Sequence, residues 1–315
     1  MSPSISIPSV AVAKQQSSDY IIIWMSHGLQ TMSGWTGTGS RRQSVGTKPT
    51  SSGHSTSLQE APSIQNPIRK VLSTLNSCGV RALLMGGQAC VLYGGAEFSR
   101  DTDIAILASD ENVELLRGAL RRLAARRITL PPFELQYLMR GHAVHFRCYH
   151  AEAMKIRIDV MSLMRGVDPF EQLWERRQKF VIGEDEEYTA LSLPDLIRAK
   201  KTQRDKDWPM IRRLIEADYV AHPDPTTQKA AFWLLESRTP GMLVELSERF
   251  RGLAASLKNV RTALGHAEAG DLAGIEAELE REAQAEREAD HQYWEPLRRE
   301  LEALRGLGLE LEEDV

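Results

Sequence analysis

Leu83-Leu84-Met85-Gly86-Gly87, followed shortly by Ser99-Arg100-Asp101-Thr102-Asp103, is the stretch whose reading decides the fold. Residues 81–85 read as a short buried strand that runs straight into two glycines. Glycine permits the backbone angles and close approach that a tight strand–helix corner needs. A short helix is expected over 88–93, closed by Gly94-Gly95, and a second strand over about 102–107. Asp101 and Asp103 stand two apart where the chain enters that strand, so their side chains point to one face. Two like charges held close are costly without a cation, and hard oxygen ligands suit Mg²⁺ with bound phosphate. The bland alternative is a pair of turn-capping aspartates beside a corner that serves only the fold.

Upstream, Ile68, Val71, Leu72 and Leu75 recur at helical spacing, and that helix should end between Asn76 and Gly79. Downstream, 111–126 reads as an amphipathic helix capped by Asp110, with Val113, Leu116, Leu120 and Leu123 towards the core. Strands are expected over 144–149 and 155–162. In the second, Ile156, Ile158 and Val160 alternate with polar positions, which puts Asp159 on the polar face. A third carboxylate there could complete a two-metal arrangement. A helix over 168–177 and a short edge strand over 188–191 follow. Ser192 then caps a helix with Pro194 in its first turn, carrying Leu196, Ile197, Lys200, Lys201 and Arg204. Lys200 and Arg204, four apart, would share one face and could contact a triphosphate, with Asp207 orienting Arg204. The alternative is a solvated basic face whose charges pair locally. A further helix is expected over 206–217, with Pro209 best tolerated in its first turn.

Gly86-Gly87 and the Asp101-Thr102-Asp103 triplet together resemble the signature of the DNA polymerase β-like nucleotidyltransferase superfamily. The resemblance is nearest to its minimal and AbiEii toxin-like branches, and it covers roughly residues 66–217. It implies a mixed α/β sheet flanked by helices. It further implies that Gly86, Gly87 and Ser99 hold nucleotide phosphates, that Asp101 and Asp103 hold Mg²⁺ (or Mn²⁺), and that Asp159 activates an acceptor hydroxyl. The run Leu193-Pro194-Asp195-Leu196 through Lys200 and Arg204 is similar to the basic helix that follows the core in those branches. An NTP would donate its nucleoside monophosphate to a hydroxyl or phosphate on tRNA, another RNA, a protein, a small antibiotic-like alcohol or the enzyme itself, and the resemblance alone implies a toxin–antitoxin setting. Asp103-Ile104-Ala105 can also be set on the family's Asp-Ile-Asp, which loses one carboxylate at Ala105. That register, with Gly87 where many members carry Ser, leaves open a catalytically inactive module acting through protein contacts.

The rest of the chain narrows the choices. Residues 64–221 hold 21 acids and 24 bases, whereas 222–315 hold 20 and 11, so an anionic substrate belongs to the middle. The expected layout is a disordered or poorly ordered N-terminal extension over 1–63 with a weak strand at 20–25, a nucleotidyltransferase-like domain over 64–221, and a helical region over 222–315. In that region helices are expected over 227–237, 240–251 and 272–305, the last interrupted near Pro296, with 276–288 as a solvated acidic face or a partner-binding surface. Cys78, Cys90 and Cys148 lack metal or redox spacing and suit a reducing, cytoplasmic setting. His142, His145 and His150 match no zinc spacing and read as incidental. No hydrolase elbow, P-loop or dinucleotide fingerprint is present, and the apolar run at 20–25 is too short for a membrane span.

Overall fold

The computed structural model describes residues 67–96, 99, 101–182 and 186–307. The expected extension over 1–63 and its strand lie outside the described residues. Helix α1 (Pro67–Ser77) buries Ile68, Val71, Leu72 and Leu75, as their spacing requires. Strand β1 (Ala82–Met85) passes directly into α2 (Gly86–Leu92), and β2 (Asp101–Ile106) returns beside it. Then come α3 (Asp110–Arg122), β3 (Arg126–Arg127), α4 (Leu135–Arg140), β4 (Val144–Arg147) and β5 (Arg157–Met161). Next are α5 (Phe170–Glu175), β6 (Gln178–Ile182), β7 (Glu186–Ala190), α6 (Leu193–Ala199) and α7 (Asp207–Ala221). Among the described residues only helices follow: α8 (Thr227–Glu236), α9 (Pro240–Arg249), α10 (Arg251–Leu257), α11 (Ala263–Glu268) and α12 (Leu272–Gly306).

The strands form one mixed sheet in the order β3-β4-β5-β2-β1-β7-β6. β2 runs antiparallel to β1 and parallel to β5, and β7 is parallel to β1. The protein is thus a mixed sheet flanked by helices, followed by an all-helical region. Its buried apolar side chains make one continuous cluster from Ile68 to Ala283. Among the described residues no helix is long and apolar enough to cross a membrane.

Several local expectations change. Ser109, rather than Asp110, caps α3 by accepting from the Asn112 amide, and the helix ends at Arg122, so Arg126 is in a strand. β7 is an inner strand because the unanticipated β6 pairs outside it. α6 stops at Ala199, its Ser192 cap and Pro194 placed as expected. Lys200 is therefore the C-cap residue, and Arg204 lies beyond the helix. The helix expected over 240–251 breaks at Phe250, and α11 is additional. α12 runs unbroken through Pro296, which is solvent-exposed, so the carbonyl that its ring leaves unbonded can be hydrated.

The acidic face of α12 is also less solvated than its composition suggests. Arg261, 5% exposed, donates to the Leu234 and Ser237 carbonyls, each at 2.8 Å, and to Glu282 at 2.9 and 3.0 Å. Arg165 reaches Glu286 at 2.7 Å and the buried Asp290 at 3.3 Å. Removing a buried cation from such a cluster strands both carbonyls and a carboxylate. Arg261→Ala is expected to lower unfolding free energy by about 3 kcal/mol in urea titration; a loss below about 1 kcal/mol would show that the cluster contributes little.

Candidate active site

Gly86 adopts φ +63°, a left-handed conformation that a side chain disfavours. A β-carbon there would overlap the Asp103 carboxylate, and one on Gly87 would overlap the Ser99 hydroxyl. The Gly87 amide donates to Asp103 Oδ2 at 3.4 Å, and Gln88 Nε2 donates to the Ser99 carbonyl at 2.7 Å. The glycine corner, Ser99 and Asp103 are therefore in direct contact. The order strand, corner, helix is as expected, except that the glycines are the first two residues of the helix itself.

The sheet register sets the acids opposite one another. Asp103 pairs with Met85 on one side and Asp159 on the other, and Asp101 pairs with Arg157. Asp159 in turn faces His145 across β4. Paired positions share a face, so His145, Asp159 and Asp103 form one row, and Arg157 and Asp101 begin a second one pleat away. Asp101 is exposed, and Asp103 is partly covered. Further along the same face Ala105 is fully buried. In the alternative register the second family position is thus a closed-off methyl.

Asp103 and Asp159 differ electrostatically. Burial, then the charge of Asp159, raises the pKa of Asp103 against the opposing pull of the Gly87 amide and Lys200. Burial also acts on Asp159, but His145 and then Arg157 outweigh it and hold its carboxyl below the ordinary value. Both partners meet Oδ1, His145 Nδ1 at 2.8 Å and Arg157 Nε at 2.6 Å. His145 was expected to be incidental; it is part of this row. His142 is likewise engaged, its Nε2 lying 2.7 Å from Glu300 on α12, and His150 accepts from the Glu152 amide in the turn between β4 and β5.

Lys200 is 7% exposed and lies 3.3 Å from Asp207, close enough to Asp103 and Cys90 to act on both electrostatically. Arg204 is largely exposed and donates to Asp207 Oδ2 at 2.7 Å, so Asp207 does orient its guanidinium. The two bases meet at one carboxylate rather than sharing a helical face. Cys90 donates to the Gly86 carbonyl, and burial pushes its thiol up to about 11, in keeping with a core residue.

Asp101 and Asp103 offer hard oxygens on one face, a donor set that could hold Mg²⁺ or Mn²⁺, and burial, then the charge of Asp159, makes the ionised Asp103 costly without a cation. Asp159 fits less well as a third ligand because Oδ1 is engaged. Among the described residues no three His, Cys, Asp or Glu side chains converge as a metal cage. A cavity of about 320 Å³ between the start of α8 and the α9–α10 junction contains none of these acids.

Fold and site together define an α/β protein with an acidic centre at one end of a mixed sheet. Neither a protein-family model nor a curated protein matches the chain. A crystal structure from H. pylori, provisionally named a nucleotidyltransferase, is similar at 17% identity, covering 73% of this chain and 95% of that one, with a TM-score of 0.33. That likeness is too loose to transfer residues or activity.

The opposite shifts of the two acids have opposite consequences. Asp103, raised, adds stability below the ordinary aspartate range, and this is lost as pH rises through its folded value. Asp159, lowered, adds stability above that range, lost as pH falls through its folded value. At pH 7 and without divalent metal, Asp103→Asn is expected to stabilise the protein and Asp159→Asn to destabilise it in urea titration. Shifts of the same sign would refute the assignment.

Proposed function

We propose that the chain is a Mg²⁺-dependent nucleotidyltransferase that moves a nucleoside monophosphate from an NTP to an acceptor hydroxyl or phosphate. The observation that carries this reading is the contact of Gly86 and Gly87 with Asp103, in register with Asp159. Asp101 and Asp103 would hold the ion together with the triphosphate; when bound, it supplies positive charge to the reacting phosphate. The exposed Asp101 would be able to turn towards the ion without disturbing the core. Gly86 and Gly87 leave room beside Asp103 for a phosphate, and Ser99 offers a hydroxyl at the same edge. Lys200 and Arg204, fixed by Asp207, would counter charge as pyrophosphate leaves.

The acceptor oxygen bonds to the α-phosphorus as the bond to pyrophosphate breaks. Its proton leaves by way of Asp159, whose Oδ1 His145 and Arg157 already engage, and passes on to water. Asp159 alone, held below the ordinary range, is a weak base at neutral pH. The resemblance extends the proposal to an RNA or protein acceptor and a toxin-like role. One observation favours a second reading, a non-catalytic module: the engagement of Asp159 Oδ1 by Arg157 and His145.

Incubation with each α-labelled NTP, Mg²⁺ and total RNA or protein separates the two. Label transfer is expected, with Asp103→Asn slowing it at least ~100-fold, equivalent to about 2.7 kcal/mol of barrier. A folded sample that neither transfers label nor binds NTP with Mg²⁺ or Mn²⁺ supports the module instead.

A further inference from the structure

The second cross-strand row continues past the acids. Arg157 on β5 pairs with Arg147 on β4, and Arg147 pairs with Arg126 on β3. Since Arg157 also faces Asp101 on β2, four adjacent strands carry Arg126, Arg147, Arg157 and Asp101 at one level. Their neighbours Arg127, Phe146, Ile158 and Thr102 are all buried, which places the row on the opposite face. Strands lie about 4.8 Å apart, so the three guanidinium-bearing positions span roughly 10 Å from the sheet edge to the acidic centre.

Arg147 is exposed, and no hydrogen bond, ion pair or ring contact engages its side chain among the described residues. Two positions further along β4's course, Tyr149 is 45% exposed, and Arg126 lies over its ring at 5.6 Å. The same edge thus presents cationic forks suited to phosphate and an aromatic face suited to a base. Arg157, held by Asp159, is where the row meets the reacting centre.

The geometry points to this row as the acceptor subsite, with Arg126, Arg147 and Tyr149 binding a single-stranded nucleic acid whose end reaches Asp101 and Asp103. The inference rests on the transferase reading for its orientation, while the binding itself does not require NTP or metal. An acidic protein segment would use the arginines but has no base to place on Tyr149. A single strand uses both, and its phosphates run along the row while its terminal hydroxyl lies at the acids.

The test is fluorescence anisotropy of labelled single-stranded RNA and DNA of roughly 12 nucleotides, without NTP or Mg²⁺. Arg147→Ala is expected to weaken binding about 5–10-fold at low salt and to reduce the slope of log affinity against log salt by about 0.7. Tyr149→Ala should weaken it about 5-fold or more with the slope unchanged, and Arg147→Lys should keep the slope. Absence of binding by the wild-type chain, wild-type affinity and slope in Arg147→Ala and Tyr149→Ala, or equal displacement by polyglutamate of matched length would each overturn the assignment. Asp103→Asn should abolish label transfer and spare oligonucleotide binding, so failure of the subsite and failure of the transferase reading appear in different measurements.

Discussion

The Asp103 carboxylate lies against a backbone that has no β-carbon to offer it. Its oxygen occupies the space a side chain at Gly86 would fill, and the Gly87 amide donates to it from the first turn of α2. That close approach fixes much else. β1 must end at Met85, and the chain must turn through a left-handed residue. α2 must start at once, which carries Cys90 into the interior with its thiol on the Gly86 carbonyl. Lys200, buried with Asp207, lies close enough to act on Asp103. An acid so placed is costly in its ionised form, and the fold tolerates it by leaving one side of the row accessible.

Neighbouring acids are treated differently because their partners differ. Asp159 is neutralised locally by His145 and Arg157, and Asp207 by Lys200, Arg204 and Thr202. Asp103 has one backbone amide and a more distant lysine. This asymmetry is the electrical signature of the centre: a carboxylate without a counter-charge of its own sits between groups that already have theirs.

Much of this was legible in the chain. Gly86-Gly87, the Asp101–Asp103 spacing and the alternation around Asp159 each have a local physical cause, and each appears where that cause put it. The registers of β3, β4, β5 and β2 were not legible, because nothing in these strands states which partner each takes. Without the β4–β5 register His145 reads as incidental, and without the β3–β4 register as well the arginines of three separate strands do not show as a row. The end of α6 was missed because Lys200-Lys201-Thr202-Gln203 contains neither glycine nor proline. The acidic face of α12 read as solvated because the arginines it meets, Arg165, Arg238 and Arg261, are far away in sequence. β6 was overlooked where Gln178-Lys179-Phe180-Val181-Ile182 alternates too poorly to reveal one apolar face.

Asp290 of α12 accepts from both Arg165 and the Gln203 amide, and Glu300 meets His142. The loop that carries Lys200 and Arg204 is therefore tied down by a helix made some ninety residues later. A chain emerging from the ribosome can form the sheet, the glycine corner and the acidic row well before that helix exists. The tie to α12 waits until Asp290 has been synthesised, although Lys201 already meets Glu236 of α8 and Lys200 meets Asp207. The nascent protein thus carries its acids before the last support of this basic loop, which translation supplies only with α12.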